Sequence, residues 1–120
     1  MSKIRQQRTA EQIRTLLSEL ILRELRDPRV QGVTITEVKI DRELQSADIY
    51  VGALGDDARE EDVMAGLHSA SGFMRRELGH SLRLRTVPML HFHWDPTLFQ
   101  AEHIHQLLDQ LGDLDADEEE

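Results

Sequence analysis

Residues 60–79, EEDVMAGLHSASGFMRRELG, decide the expected fold because they combine an amphipathic helical pattern with a glycine in its interior. At 100° per residue, six apolar side chains form one stripe along this segment: Val63, Met64, Leu67, Ala70, Met74 and Leu78. Gly72 points away from that stripe, and glycine inside a helix costs about 1 kcal/mol relative to alanine. The sequence therefore predicts a helix interrupted at Ala70-Ser71-Gly72, with a bend or a close backbone approach there.

One helix and two strands are predicted before this segment. Thr9, with Gln12 three positions later, fits a capping box at the start of a helix that should end near Arg26, before Pro28. Residues 33–40 and 47–53 have the β-branched or alternating character of strands, and their short spacing predicts a hairpin. The apolar phase of the first strand switches after Ile35, which indicates a β-bulge.

A third strand and a last helix are predicted after it. The strand pattern runs from Leu82 to Trp94 and contains Pro88, so this strand should be bent or lie at a sheet edge. Pro96 could open a helix that closes at Gly112. This order of elements favours an α+β fold with helices on one face of a three-stranded sheet.

The net charge of −9 is distributed unevenly. Residues 1–42 carry nine basic and six acidic side chains, whereas residues 111–120 carry six acids and no base. We expect one domain at residues 1–112, including a short basic N-terminal extension, and an acidic disordered tail at 113–120.

The chain has no cysteine, which excludes disulfides and cysteine nucleophiles. No window has the roughly 20 apolar residues of a membrane span, so a soluble cytoplasmic protein is expected.

Several spaced blocks together resemble the bacterial ribosome-binding factor A family, over roughly residues 5 to 110. These blocks are Asp27-Pro28-Arg29, Val33-Thr34-Ile35-Thr36, Ala47-x-Ile49-Tyr50-Val51, Ala70-Ser71-Gly72-Phe73-x-Arg75-x-x-Leu78-Gly79 and Leu84-Arg85-x-x-Pro88-x-Leu90-x-Phe92-x-x-Asp95. Two features depart from the family pattern. Met89 stands where the family commonly has an acid, and the acidic tail is not shared.

The resemblance implies a type II KH-like fold, α-β-β-α(kink)α-β with an added C-terminal helix, in which a helix-kink-helix replaces the usual Gly-x-x-Gly loop. It also implies a monomeric, cytosolic factor that binds the small (30S) ribosomal subunit and its 16S rRNA. Such factors support late subunit maturation, including 5′-end processing of the rRNA precursor, and growth in the cold.

In this setting the kink would expose amide groups at a helix N-terminus, where a phosphate is favoured, and basic side chains would extend the surface. We assign RNA contacts to Lys3, Arg5, Arg8, Arg26, Arg29, Ala70, Ser71, Gly72, Arg75, Arg76, Arg83 and Arg85. Arg83 and Arg85 are placed on one face of the last strand. The alternatives are a plain helix junction at residues 70–72 and ordinary solvated surface for the basic residues.

Rival functions have less support in the sequence. The imidazoles of His91, His93, His103 and His105, with the Asp95 carboxylate, suggest a metal site. A half-buried strand with a polar outer face explains the first two equally well, so we expect no metal or cofactor. Nucleophile-elbow, Walker A and dinucleotide-binding motifs are absent, which argues against an enzyme. The remaining alternative is a protein-interaction module of α+β fold without a direct RNA role.

Overall fold

A computed structural model describes residues 3–53 and 59–96. The main elements are α1 (Lys3–Glu19), β1 (Val33–Ile40), β2 (Ser46–Ala53), α2 (Glu60–Leu82) and β3 (Met89–Trp94). A π-helical turn, Leu20–Glu24, extends α1, and a short 3₁₀ turn, Pro28–Val30, precedes β1. The helix predicted after Pro96 and the acidic tail at 113–120 lie outside the described residues. Within the described ranges, no helix is both long and apolar enough to cross a membrane.

The three strands form one sheet in the order β1-β2-β3. β1 and β2 pair antiparallel as the predicted hairpin, and β3 pairs parallel to β2, at the edge of the sheet. The register of β1 shifts between Ile35 and Glu37, which confirms the predicted bulge. The hydroxyl of Thr36, inside the bulge, donates to Asp95 Oδ2 at 2.6 Å and lies 3.2 Å from the Tyr50 carbonyl oxygen. The bulge is thereby tied to the end of β3.

Both helices pack on one face of this sheet, as predicted. The inward side chains of β2 alternate along the strand and are buried together with Ile35, Ile40 and Leu90 from its neighbours. α1 contacts β1, and α2 contacts β3. The helices contribute Ile13, Leu17, Val63, Leu67, Met74 and Leu78 to this core. The opposite face of the sheet is more polar, so the fold has two layers.

The first helix begins earlier than the capping-box pattern predicts. Residues 3 to 19 are helical, so Thr9 lies inside α1 and does not cap it. Tertiary contacts support the extra turns, because the Gln6 side-chain amide donates to the Ile40 carbonyl at 2.6 Å. At the other end, the wider π-helical turn leaves both Leu20 and Ile21 buried, and Leu25 N–H donates back to Leu20 O at 2.9 Å.

The second helix is continuous, so the predicted division into two helical pieces at residues 70–72 is wrong. Buried Leu67 and Met74 anchor α2 on both sides of Gly72, and their burial outweighs the cost of about 1 kcal/mol for a helical glycine. α2 also continues beyond the predicted stop to Leu82, and Arg83 ends it in the left-handed region at φ 51°. The third strand therefore begins only at Met89, directly after Pro88.

Candidate nucleic-acid interface

The outward face of α2 brings together part of the predicted RNA-binding motif. Gly72 is exposed, and a Cβ built on it would meet no atom within 4 Å. Arg76 lies four residues later, about 40° around the helix, and is also exposed. Ala70 and Ser71 are half-buried, and Ala70 packs against the core. We refer to Gly72 and Arg76 as the α2 outer face, and it offers an open approach to the backbone beside one cation.

The continuity of α2 changes the chemistry available at this face. Backbone amides inside an α-helix donate to carbonyls four residues earlier, so a second helix N-terminus is not present at residues 70–72. A phosphate held by exposed amides, as the sequence suggested, has no basis in this geometry. What remains is a surface without a side chain at Gly72, where a phosphodiester backbone could approach closely while Arg76 supplies the charge.

Arg75, the neighbouring candidate, has a structural contact. Its Nε donates to the Pro88 carbonyl and its Nη2 to the Val87 carbonyl, both at 3.0 Å. Gly79 adds to this contact, because a Cβ there would come within 3.0 Å of Val87 Cγ2. Arg75 therefore fixes the segment that leads into β3, and two of its five donors are already occupied.

Arg29 belongs to a corner formed by Asp27-Pro28-Arg29. Its Nε donates to both Asp27 carboxylate oxygens, at 3.1 and 3.0 Å, and its Nη2 donates to Asp27 Oδ2 at 2.6 Å. These side-chain hydrogen bonds lower the pKa of Asp27 and raise that of Arg29. The corner presses against buried Gly66 of α2, where a Cβ would come within 2.8 Å of Val30 Cγ1. Gly66 is thus needed for close packing.

Arg59 is a positioned cation that sequence reasoning missed. It lies immediately before α2, and its Nη2 donates to the Gln31 carbonyl at 2.6 Å. The contact joins the start of α2 to the turn that precedes β1. Because the two residues are 28 positions apart and Arg59 lies in no motif, the sequence contained no signal that could have found it.

The other basic candidates do not form one patch. Around α1, Arg5 and Arg8 lie about 60° apart, whereas Lys3 lies at least 140° from either of them. Arg26 follows the π-helical turn, at the other end of a helix about 25 Å long. The strand placement of Arg83 and Arg85 is wrong, since both are exposed in the connection between α2 and β3. That connection is fixed by the contacts around Pro88 described above.

The described residues are close to neutral although the whole chain is acidic. All 14 Lys and Arg residues lie within 3–53 and 59–96, whereas ten of the 23 Asp and Glu residues lie outside these ranges. The described part therefore carries 13 acids against 14 bases. The excess of acid that gives the net charge of −9 therefore comes from residues outside the described ranges.

The histidines of β3 lie on the outer face of the sheet. His93 Nε2 is 2.8 Å from Asp48 Oδ1, and its ring stacks on Tyr50 with centroids 5.0 Å apart. The Lys39 ammonium lies 5.4 Å from the Tyr50 ring centroid. Within the described part of the chain, no three potential His, Asp or Glu ligands come together for a metal ion. His103 and His105 lie outside that part.

Comparison with known proteins identifies the family to which these features belong. The family model described as ribosome-binding factor A matches residues 5–108, which is most of the chain. The chain belongs to the ribosome-binding factor A family. A ribosome-binding factor A from Aromatoleum aromaticum is 42% identical over 107 residues, which cover 89% of this chain and 84% of that protein.

Solved structures of the family have the same fold. The solution structure of a putative ribosome binding factor A from Thermotoga maritima matches with a TM-score of 0.68 and 32% identity, over 78% of this chain and 89% of that one. A homology structure of Thermus thermophilus ribosome binding factor A, fitted into the cryo-EM map of a 30S complex, matches with a TM-score of 0.61 and 24% identity. That match covers 72% of this chain and 91% of the other and concerns the fold. The α+β fold predicted from sequence is therefore the family fold.

Proposed function

We propose that this protein is a non-enzymatic assembly factor that binds the small (30S) ribosomal subunit through its 16S rRNA. In this role it supports late maturation of the subunit, including processing of the 5′ end of the rRNA precursor. It acts in the cytoplasm as a monomer and without a cofactor, and its contribution is greatest in the cold. Membership of the ribosome-binding factor A family carries the proposal. The Thermus thermophilus relative fitted into a 30S complex supports the choice of partner.

The contact with rRNA is centred on the α2 outer face. Gly72 lets the phosphodiester backbone approach the helix, and Arg76 beside it neutralises phosphate charge. Ser71 and Ala70 shape the same surface, while Arg75 acts mainly by holding the segment before β3. The remaining contacts are assigned to Lys3, Arg5, Arg8, Arg26, Arg29, Arg83 and Arg85. Since these are spread over several elements, they contact separate stretches of RNA.

Such a factor promotes maturation by binding one conformation of the rRNA more tightly than another. A ligand shifts an equilibrium only by its differential affinity for the two states. The protein should therefore bind immature subunits more tightly than mature ones and be released once folding of the RNA is complete. Equal affinity for both kinds of subunit would contradict this mechanism.

Co-sedimentation with purified small subunits tests the binding surface. Arg76→Glu should weaken binding, and Arg23→Glu is the matched control because Arg23 is exposed on the π-helical turn and is not a candidate. Circular dichroism should show both variants folded. If Arg76→Glu sediments with subunits as wild type does, the α2 outer face is not the RNA contact. Binding that survives nuclease treatment would favour the protein-interaction module.

The maturation role needs a separate cellular test. Cells lacking this protein should accumulate small-subunit precursors with unprocessed rRNA 5′ ends, most strongly at low temperature. Wild-type protein should restore processing, and the Arg76→Glu variant should restore it less well. Normal 5′ ends in the depleted cells would exclude a role in processing, even if subunit binding is confirmed.

A further inference from the structure

A groove runs between α1 and the edge strand β1, away from the α2 outer face. Two adjoining cavities, of about 450 and 330 Å³, share Gln7, Ala10, Glu37 and Val38 as lining residues. Lys3 and Lys39 line one end and Arg14 the other. We call this surface the α1–β1 groove.

The polar groups of the groove are suited to an anionic chain. One stripe of α1 at helical spacing faces the groove and contains two cations, two amides and one alanine. Its residues are Lys3, Gln6, Gln7, Ala10 and Arg14. Gln6 uses its amide to hold the Ile40 carbonyl, which closes one end of the stripe against β1. Gln7 is exposed and lines both cavities. The stripe therefore presents hydrogen-bond donors and positive charge.

The acids at the groove are compensated. Glu37 lies 4.0 Å from the Lys39 ammonium, and Glu11 lies 3.7 Å from Arg14. Both pairs are exposed, and exposed pairs of this kind are worth at most about 1 kcal/mol, so a phosphate can displace either partner. Among the described residues, Lys3 has no carboxylate within ion-pair distance. The groove keeps a positive excess of one charge.

The dimensions and surroundings favour single-stranded RNA over a peptide. Lys3 and Arg14 are 11 residues apart on α1, about 16 Å along the axis, which is long enough for several nucleotides. Three of the eleven residues that line the two cavities are apolar, Ala10, Val38 and Ile40, whereas the large anchor residues of a protein partner need a mainly apolar surface. The Lys39 ammonium lies 5.4 Å from the Tyr50 ring centroid on the outer face of the sheet, so Lys39 borders the groove without pointing its charge into it.

We infer that the α1–β1 groove is a second RNA-binding surface, which holds the phosphate backbone of a single-stranded segment through Lys3 and Arg14. The inference rests on the proposed function and extends it. Because α1 lies on β1 and α2 lies on β3, the groove and the α2 outer face belong to opposite edges of the layered fold. The protein would then contact two RNA segments at once.

Fluorescence anisotropy with a uridine oligonucleotide of about 12 residues tests the groove. Lys3→Ala/Arg14→Ala removes two cations, and Arg23→Ala/Arg42→Ala is the matched control, because it removes the same charge from exposed residues outside the groove lining. Each lost phosphate contact on a single strand lowers the log-log salt slope by about 0.7. We therefore expect the slope to fall by about 1.4 and binding at 0.1 M salt to weaken by up to about 25-fold. The control should change little.

The outcomes separate this inference from the proposed function. If the groove variant binds the oligonucleotide with wild-type affinity and slope, the inference is overturned, even when Arg76→Glu still loses subunit binding. A groove variant that loses subunit binding but keeps its affinity for RNA also overturns it and indicates a ribosomal protein in the groove. Reduced oligonucleotide binding by the groove variant supports the groove, whereas co-sedimentation of Arg76→Glu with small subunits tests the α2 outer face separately.

Discussion

Gly66 and Gly72 should respond in opposite directions to the same substitution, although both lie in the interior of α2. Gly66 is buried, and an added Cβ would stand 2.8 Å from Val30 Cγ1 and 3.2 Å from Arg29 Cβ. Gly72 is exposed, and an added Cβ would meet nothing within 4 Å. The pair therefore separates the cost of close packing from the helix propensity that both sites share.

The magnitudes follow from two terms. Alanine gains about 1 kcal/mol over glycine in a helix interior, so Gly72→Ala should stabilise the protein by about 0.4–1 kcal/mol. At Gly66 the same gain is opposed by overpacking, which costs about 1–3 kcal/mol when a buried neighbour such as Val30 cannot move away. Gly66→Ala should therefore be between as stable as wild type and about 2 kcal/mol less stable, and in either case its free energy of unfolding should be lower than that of Gly72→Ala.

Urea unfolding followed by far-UV circular dichroism measures both variants against wild type. With an m-value of about 1–3 kcal/mol/M, the two unfolding midpoints should differ by about 1 M, and m itself should not change. Equal midpoints for the two alanine variants would refute the close packing of the Asp27-Pro28-Arg29 corner on α2. A destabilised Gly72→Ala would refute the open surface at that residue. If the α2 outer face binds RNA, Gly72→Ala should also bind subunits more weakly despite its higher stability.

Three further predictions concern the polar contacts. Arg75→Gln should lower the free energy of unfolding by about 1–3 kcal/mol in urea titrations, because two main-chain carbonyls before β3 lose their donors; a change below about 0.5 kcal/mol would place Arg75 among ordinary surface residues. The hydrogen bonds from Arg29 lower the pKa of Asp27 below its usual value of 3.8. The ionised carboxylate therefore stabilises the fold fully at pH values above 3.8, and this contribution is lost as the pH falls through the lowered pKa. At neutral pH, wild type should therefore unfold at a higher urea concentration than Asp27→Asn, and the difference between the two midpoints should disappear in acid. A difference that does not change with pH would contradict the ion pair. Thr36→Val should cost about 1 kcal/mol, and a double-mutant cycle with Asp95→Asn should show coupling, whereas strictly additive effects would mean that the 2.6 Å contact contributes nothing.

The elements that could be predicted were those with a strong local pattern. The alternation in β2 and the phase switch after Ile35 reflect the two-residue period of a strand, so the hairpin and its bulge were readable. The apolar stripe of α2 predicted the buried face of that helix, because apolar residues recur there with the 3.6-residue period of a helix. The resemblance to the family rested on several such blocks and was confirmed by the family model.

The errors arose where local signals competed with tertiary packing. Gly72 and Gly79 are weak helix formers, yet buried residues on both sides keep α2 intact to Leu82. The same packing takes Arg83 and Arg85 out of the last strand. Thr9 has the residue type of a helix cap, but α1 has already begun six residues earlier and is held by Gln6 on the hairpin.

The sequence by itself determined the family, the order of the described elements and the residues that form the core, because periodicity and composition act over short distances along the chain. It also identified Gly72 and Arg76 as surface candidates. Only the tertiary structure decided that Arg75 turns inward to the carbonyls before β3, and that Gly66 allows the corner to approach α2. It alone brought α1 against β1 to form a groove. These contacts join residues from 12 to 39 positions apart in the chain, and no local pattern encodes a distance that packing sets.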